Sequence, residues 1–254
     1  MIKVVNLEKS FNDKTVLQDI SVTFATGKTN LIIGRSGSGK TVLLKSIAGL
    51  HEPDKGEVWF DDVLFNKLDF NSKKEIRKEM GMLFQGSALF DSLTVEQNVR
   101  FPLDMFTGQS LEEKTERVNF CLNRVNIINA NKLYPSELSG GMKKRVAIAR
   151  AIALNPKYLF CDEPNSGLDP ITAIMIDSLI REITEEYSIT TIVNTHDMNS
   201  VIEIGDNIVF INEGRILWEG DKNEVLHSKC DLLNEFIFAN SMAKHLLTTK
   251  TTDH

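Results

Sequence analysis

TNLIIGRSGSGKTVLLKSIAGL, residues 29–50, decides the fold. A short apolar run, LII at 31–33, enters a glycine-rich loop. An apolar pattern with helical spacing leaves the loop and stops at Gly49. The loop itself, GRSGSGKT at 34–41, has the form G-x-x-x-x-G-K-[ST], and its setting between a strand and a helix is what gives that form meaning. In Gly34, Arg35, Ser36, Gly37, Ser38 and Gly39 the glycines let backbone N–H groups turn inward around phosphate oxygens. Lys40 adds a point charge for the terminal phosphates, and the Thr41 hydroxyl can ligate Mg²⁺. The helix from Thr41 aims its positive end at the same anion.

Outward from this loop, strand and helix patterns alternate. IKVVNL (2–7) and VLQDISVTF (16–24) read as strands, with FNDKT (11–15) as a turn, and GEVWFDD (56–62) reads as another strand. From about Glu75 to Leu154 the periodicity is mainly helical, in KKEIRKEM, VEQNVRF, LEEKTERVNFCLNRV and GMKKRVAIARAIAL. Alternation then resumes with KYLFCDE, ITAIMIDSLIREITEE, TTIVNTH, MNSVIEIG and NIVFINEGRILWEG. This predicts an α/β fold, a mostly parallel sheet with helices on both faces, interrupted by an inserted helical subdomain. The polar tail after Phe238 is expected to fray. The sequence contains no internal repeat and no low-complexity segment.

YLFCDEP (158–164) is an apolar strand ending in two carboxylates. Asp162, at a strand end near the phosphate loop, suits Mg²⁺ held directly or through water. Glu163 points elsewhere and can accept a proton from an attacking water. His196 ends the apolar strand TTIVNTH, where a lone histidine is more often structural than catalytic. Gln85 follows the strand-like GMLF and, taken alone, says almost nothing.

ELSGGMKKR (137–145) poses a problem of charge. A helix start favours acidic residues because its dipole leaves about half a positive charge there, yet Lys143, Lys144 and Arg145 crowd that end. Lys143 and Lys144 are expected to be solvated surface lysines.

Composition sets the limits. The chain has 254 residues, 42% of them hydrophobic and 25% charged, enough for one large domain with a subdomain. A net charge of −6 argues against a general nucleic-acid binder. Cys121, Cys161 and Cys230 are widely spaced and odd in number, which suits a reducing compartment and neither a disulfide framework nor a zinc site. The apolar runs fall far short of the roughly 20 residues that span a bilayer, and MIKVVNLEKSF lacks a signal-peptide core. The chain is therefore expected to lie outside the membrane, while free to sit on a membrane protein.

Taken together, GRSGSGKT, Gln85 in LFQ, LSGGM (138–142), YLFCDE, SGLD (166–169) and His196 in THD occur in a recognisable order. The chain resembles the nucleotide-binding subunit of ABC (ATP-binding cassette) transporters, over nearly its whole length to about residue 226. The resemblance implies a P-loop NTPase, RecA-like core over 1–85 and 158–226, with an antiparallel β subdomain and a helical subdomain over about 86–157. Residues 227–254 are then a helical extension and tail. It implies ATP and Mg²⁺ as cofactors. Phe11 corresponds to the residue that stacks on adenine, with Val16 nearby. Gln85 corresponds to the residue that contacts Mg²⁺ and the attacking water, and His196 to the histidine at the γ-phosphate. Ser139, Gly140 and Gly141 correspond to the signature that binds ATP held by a second subunit, and Asp169 lies in the loop joining the two. The implied partners are a second copy and an integral membrane permease, with no nucleic acid.

MLFQGSALFDSLTVEQNVRFPL, LSGGMKKRVAIARAIA, DEPNSGLDPITAIMIDSLI and THDMNSVIEIGDNI look like the ATPases of Mla/Mce lipid-transport systems, the MlaF type. Met142 after the signature glycines and the DPIT sequence carry most of that likeness. It implies lipid cargo, an Mce-type lipid-binding protein in the complex, a place on the cytoplasmic face of the inner membrane, and a tail that can reach the partner subunit. Gly86-Ser87-Ala88, Asn165, Asn194 and Val42 depart from the pattern, though none removes a catalytic group. The competing reading is a soluble, non-transport cassette of the iron–sulfur cluster assembly type. DNA-repair and translation cassettes fit poorly, because the chain has neither a long coiled-coil insertion nor a second cassette.

Overall fold

The computed structural model describes residues 1–238. The expectations for the far tail, fraying or reaching to a partner, fall on 239–254 and lie outside the described residues.

Six strands form the central sheet: β3 (Thr29–Ile33), β6 (Met80–Leu83), β7 (Tyr158–Asp162), β8 (Thr190–Thr195), β9 (Asn207–Asn212) and β10 (Arg215–Gly220), in the spatial order β10-β9-β3-β8-β7-β6. All neighbours are parallel except the β9–β10 hairpin. That hairpin turns on Glu213 and Gly214, both with positive φ, as a two-residue turn matched to strand twist requires. A Cβ on Gly214 would sit 2.2 Å from the Val16 carbonyl oxygen, so this turn packs tightly on the second sheet. The second sheet is antiparallel: β1 (Ile2–Phe11), β2 (Lys14–Phe24), β4 (Lys55–Phe60) and β5 (Val63–Leu64), in the order β2-β1-β4-β5.

β3, β7 and β8 are buried along their whole length, which explains the apolar stretches LII, YLFC and IV within them. Alternate residues feed opposite cores. Ile32 and Phe160 join the antiparallel sheet and α1 (Lys40–Ile47) on one face. Leu31, Ile33, Leu159 and Cys161 join the remaining large helices on the other. These helices are α3 (Val95–Phe106), α4 (Leu111–Arg124), α5 (Gly140–Ala151), α6 (Pro170–Glu186), α7 (Met198–Ile204) and α8 (Asp231–Phe238), while α2 (Phe70–Lys78) lies over the β6 side. The helices between β6 and β7 share one continuous apolar core with this sheet face and do not close a core of their own. Their starts are written locally. Thr94 with Gln97, and Ser110 with Glu113, form reciprocal capping boxes, and Ser139, Asp169 and Asp197 cap α5, α6 and α7.

The first hairpin corrects the sequence reading. β1 continues to Phe11, and the turn shrinks from 11–15 to Asn12–Asp13. Asn6 and Asp19 take positive φ, and register shifts follow Val4 and Leu7. Such bulges break the two-residue alternation, so periodicity loses the strand where the backbone does not.

Asn98 anchors the loop after β6. Fully buried, it accepts from the Phe90 N–H at 2.8 Å and donates to the carbonyls of Phe90, Leu93 and Thr94 at 3.0–3.1 Å. Asn98→Leu keeps the volume but strands these groups. It should lower stability by about 1–3 kcal/mol, seen as a lower urea midpoint with an unchanged slope. An unchanged midpoint would show that this loop does not depend on Asn98.

Candidate functional site

Four neighbouring parallel strands end at one edge of the sheet. β3 leads into the glycine loop, β8 into His196, β7 into Asp162–Glu163 and β6 into Gln85. Ligands of open α/β sheets bind at this carboxyl edge.

The loop is built around backbone close approach. A Cβ on Gly34, whose φ is +151°, would lie 2.2 Å from the Ile211 carbonyl oxygen. Gly39 lies against Leu17 and the Val16 carbonyl, and Gly37 also has positive φ. Arg35, Ser36 and Gly37 are exposed, whereas Ser38 is buried and its hydroxyl has no partner among the described residues. Arg35 meets Glu235 of α8 at 3.3 Å. Lys40 is 6% exposed and donates to the carbonyls of Gly34 (2.9 Å) and Arg35 (3.2 Å). Burial pulls its ammonium below the usual lysine range, opposed by the charges of Glu163 and Asp162.

Asp162 and Glu163 gather donors from separate elements. Asp162 Oδ1 accepts from Thr41 Oγ1 at 3.0 Å and from Asn194 Nδ2 at 3.1 Å. Glu163 has φ of 51°, a left-handed conformation uncommon for a residue with a side chain. Its Oε2 lies 2.6 Å from His196 Nδ1 and its Oε1 3.9 Å from Lys40 Nζ. Thr41 Oγ1 and Asp162 Oδ1 present adjacent oxygens, the donor chemistry that a hard divalent cation takes. Among the described residues no cluster of three or more His, Cys, Asp or Glu could hold a metal by itself. Gln85 is exposed, and its Nε2 lies 3.4 Å from Ser166 Oγ.

Asn194 is a partner the sequence reading treated only as a departure. The available signal was its polarity inside an otherwise apolar strand, since a buried amide must find partners. Lys144 is a correction. It is 4% exposed and not a solvated surface lysine; its ammonium donates to the carbonyl oxygens of Gln85 and, at 3.4 Å, of Glu163. Arg145 is half-buried and donates to the Asn126 carbonyl at 2.8 Å. The dipole rule judged these charges along their own helix, while their acceptors lie in other segments.

Phe11, at the end of β1, is 41% exposed, with the His51 ring edge-on at 5.3 Å and Lys9 Nζ over it at 5.3 Å. Burial, with Lys45 and Lys9 nearby, pulls the His51 imidazole below its usual range.

The signature residues form a separate surface. Ser139 caps α5 by accepting from Met142 N–H at 3.2 Å. With Gly140, Gly141, Gly167 and Asp169 it lines a hollow of about 240 Å³ that includes no residue of 34–41. Asp169 caps α6 through Thr172 N–H (3.0 Å) and Oγ1 (2.6 Å), and these bonds hold its carboxyl below the usual range. Another cavity, about 340 Å³ and lined by Met1, Asp61, Arg117, Tyr158 and Tyr187, lies at the opposite, amino edge of the sheet, away from this chemistry.

A family model described as ABC transporter matches residues 17–166. The chain is 42% identical over 228 residues to the methionine import ATP-binding protein MetN of Carboxydothermus hydrogenoformans, covering 89% of this chain and 67% of that protein. It is 39% identical over 229 residues to the intermembrane phospholipid transport system ATP-binding protein MlaF of Haemophilus influenzae, covering 90% and 87%. Its backbone matches the dimeric post-hydrolysis state of the ATP-binding cassette MJ0796 bound to ADP and Pi, with a TM-score of 0.80 and 34% identity over 87% of this chain and 99% of that one.

Behind the acid pair, Asn165 Nδ2 donates to Ser200 Oγ at 3.1 Å, and Ser200 donates to Asp177 at 2.8 Å. Asp177 Oδ1 and Asn165 Oδ1 are buried acceptors without a donor among the described residues. Burial pushes the Asp177 carboxyl up to about 6, and a proton on it would supply a donor to this network. A folded-state value above the unfolded one favours the folded state at low pH. That contribution is complete below about pH 4 and is lost as pH rises through 6. Asp177→Asn, which carries N–H donors at every pH, should gain stability relative to the parent by up to about 3 kcal/mol between pH 4 and pH 7.5, measured by urea unfolding. A difference independent of pH would show that Asp177 titrates as an ordinary carboxylate.

Proposed function

The chain belongs to the ABC transporter family as an ATP-binding, ATP-hydrolysing subunit, and we propose that its cargo is phospholipid or a related lipid, moved across or between envelope membranes by a separate permease. In this reading the 34–41 loop cradles the phosphates, with Lys40 on the terminal ones, and Phe11 and Val16 receive the base. Thr41, Gln85 and Asp162 hold Mg²⁺, which neutralises charge on the phosphate oxygens. Glu163 takes a proton from the attacking water, while Gln85 orients that water and His196 contacts the γ-phosphate. Ser139, Gly140, Gly141 and Asp169 serve the nucleotide of a second copy.

The observation that carries the hydrolytic reading is the convergence of Lys40, Thr41, Asn194 and His196 on Asp162 and Glu163. The separation of the signature hollow from the phosphate loop supports two-fold pairing, since each chain then offers two half-sites. An apolar groove of about 460 Å³, lined by Met82, Phe84, Phe90, Phe101 and Phe106, opens beside Gln85 and suits an apolar segment of the permease. Among the described residues no helix is long and apolar enough to cross a membrane. We place the subunit peripherally, on the cytoplasmic face of the inner membrane, with an Mce-type lipid-binding protein in the same complex.

Met142, the DPIT sequence at 169–172 and the MlaF similarity favour lipid cargo. The MetN similarity favours methionine import as a second reading. Nothing among these relatives supports the soluble cluster-assembly alternative.

Glu163→Gln keeps size and shape but cannot take a proton. It should bind ATP as the parent does and lower the turnover rate roughly 10²–10⁴-fold; wild-type steady-state hydrolysis would refute the role of Glu163. For cargo, the complex purified through a tag on this chain and placed in vesicles should show ATPase activity that responds to phospholipid and a co-purifying lipid-binding protein. Stimulation by methionine alone would establish the second reading instead.

A further inference from the structure

Lys144 is a buried cation without a carboxylate partner. Its ammonium faces the carbonyl oxygens of Gln85 and Glu163, and among the described residues it makes no salt bridge. Leaving water for two neutral acceptors is costly for a charge, and the cost shows as an ammonium pulled below its usual range by burial. For filling space alone, leucine or methionine would serve as well at this place on α5. The two acceptors are the peptide groups of the two residues that handle the attacking water.

The same helix grips the loop a second time. Arg150 donates to the carbonyls of Ser87 (2.9 Å) and Ala88 (2.7 Å), and both of those residues have positive φ. The Gln85 loop is therefore held to α5 at three carbonyls, and Glu163 is held to α5 at a fourth. α5 also begins at the signature, with Ser139 as its cap and Gly140 and Gly141 as its first residues.

We infer that Lys144 is a positioning residue for hydrolysis: from the signature helix it fixes the peptide groups of Gln85 and Glu163, so that engagement of a second copy's nucleotide and alignment of this chain's own water-handling residues are mechanically linked. The inference rests on the hydrolytic reading above. The hydrogen bonds of the Lys144 ammonium go to the backbone of Gln85 and Glu163 and, among the described residues, to none of 34–41, so its loss should act on turnover and not on nucleotide capture by that loop.

The test uses Lys144→Met, which keeps the apolar stem and removes the donors, beside Lys144→Arg and Lys144→Gln, which keep N–H donors. Binding of the fluorescent nucleotide mant-ADP, the kcat and KM for ATP, and the urea midpoint are measured on each. Lys144→Met should bind mant-ADP within about twofold of the parent, keep KM within about threefold, and lose at least about tenfold in kcat, a barrier change of about 1.4 kcal/mol. At least one of the donor-bearing variants should recover most of that loss. Parental kcat in Lys144→Met overturns the inference. So does a parallel loss of mant-ADP binding and urea midpoint, or a kcat that neither donor-bearing variant recovers, since these mark a merely structural lysine. Glu163→Gln run alongside separates the two levels: if it hydrolyses ATP normally, the hydrolytic reading fails; if it is stalled while Lys144→Met is normal, only the present inference fails.

Discussion

Two carboxylates side by side at the end of a fully buried strand are the constraint on which the site depends. Ionised groups at such a place need donors, and a buried charge stripped of its partner costs several kcal/mol. Here the donors come from different elements: Lys40 and Thr41 from the start of α1, Asn194 from β8, and His196 from the loop after β8. None is a sequence neighbour of Asp162. Satisfying the acid pair thus ties the ends of β7 and β8 and the start of α1 into one geometry. The left-handed backbone at Glu163 is part of it, since it turns the second carboxylate toward His196 while the first faces Thr41.

The parallel register brings these groups together. Asp162 pairs with Asn194 across β7 and β8, and Ile33 pairs with Thr195 across β3 and β8. Aligned strands end together, so the residues that follow them share one rim. Along the chain the order is glycine loop, Gln85, acid pair, His196. Along the rim it is glycine loop, His196, acid pair, Gln85. α5 crosses this arrangement. Its amino end carries the signature, while Lys144 and Arg150 hold the Gln85 loop at the rim.

Much of this was legible because it is local. The glycine loop is a contiguous motif with a strand before it and a helix after it. The acid pair is marked by an abrupt change from apolar to charged at a strand end. The start of α5 was readable from the helical spacing of GMKKRVAIARAIAL, and Ser139 caps it by accepting from a backbone N–H three residues on. What escaped was non-local. The extension of β1 to Phe11 was hidden by bulges at Asn6 and Asp19, which shift the alternation without ending the strand. Lys144 was misjudged because the dipole of its own helix is a smaller effect than two carbonyls from distant loops.

The α/β class, the phosphate loop and the acid pair at the end of YLFCDE follow from the sequence alone, because each rests on periodicity or chemistry within about ten residues, whereas LSGGM at 138–142 gained its meaning from the resemblance. That Asn194 holds Asp162, that Glu163 meets His196, and that Lys144 turns inward to Gln85 and Glu163 emerges from the folded chain. The physical reason is range. A residue's propensity and spacing act along the chain, whereas the partner of a buried polar group is set by which strands become neighbours. That choice is made by the packing of the whole sheet.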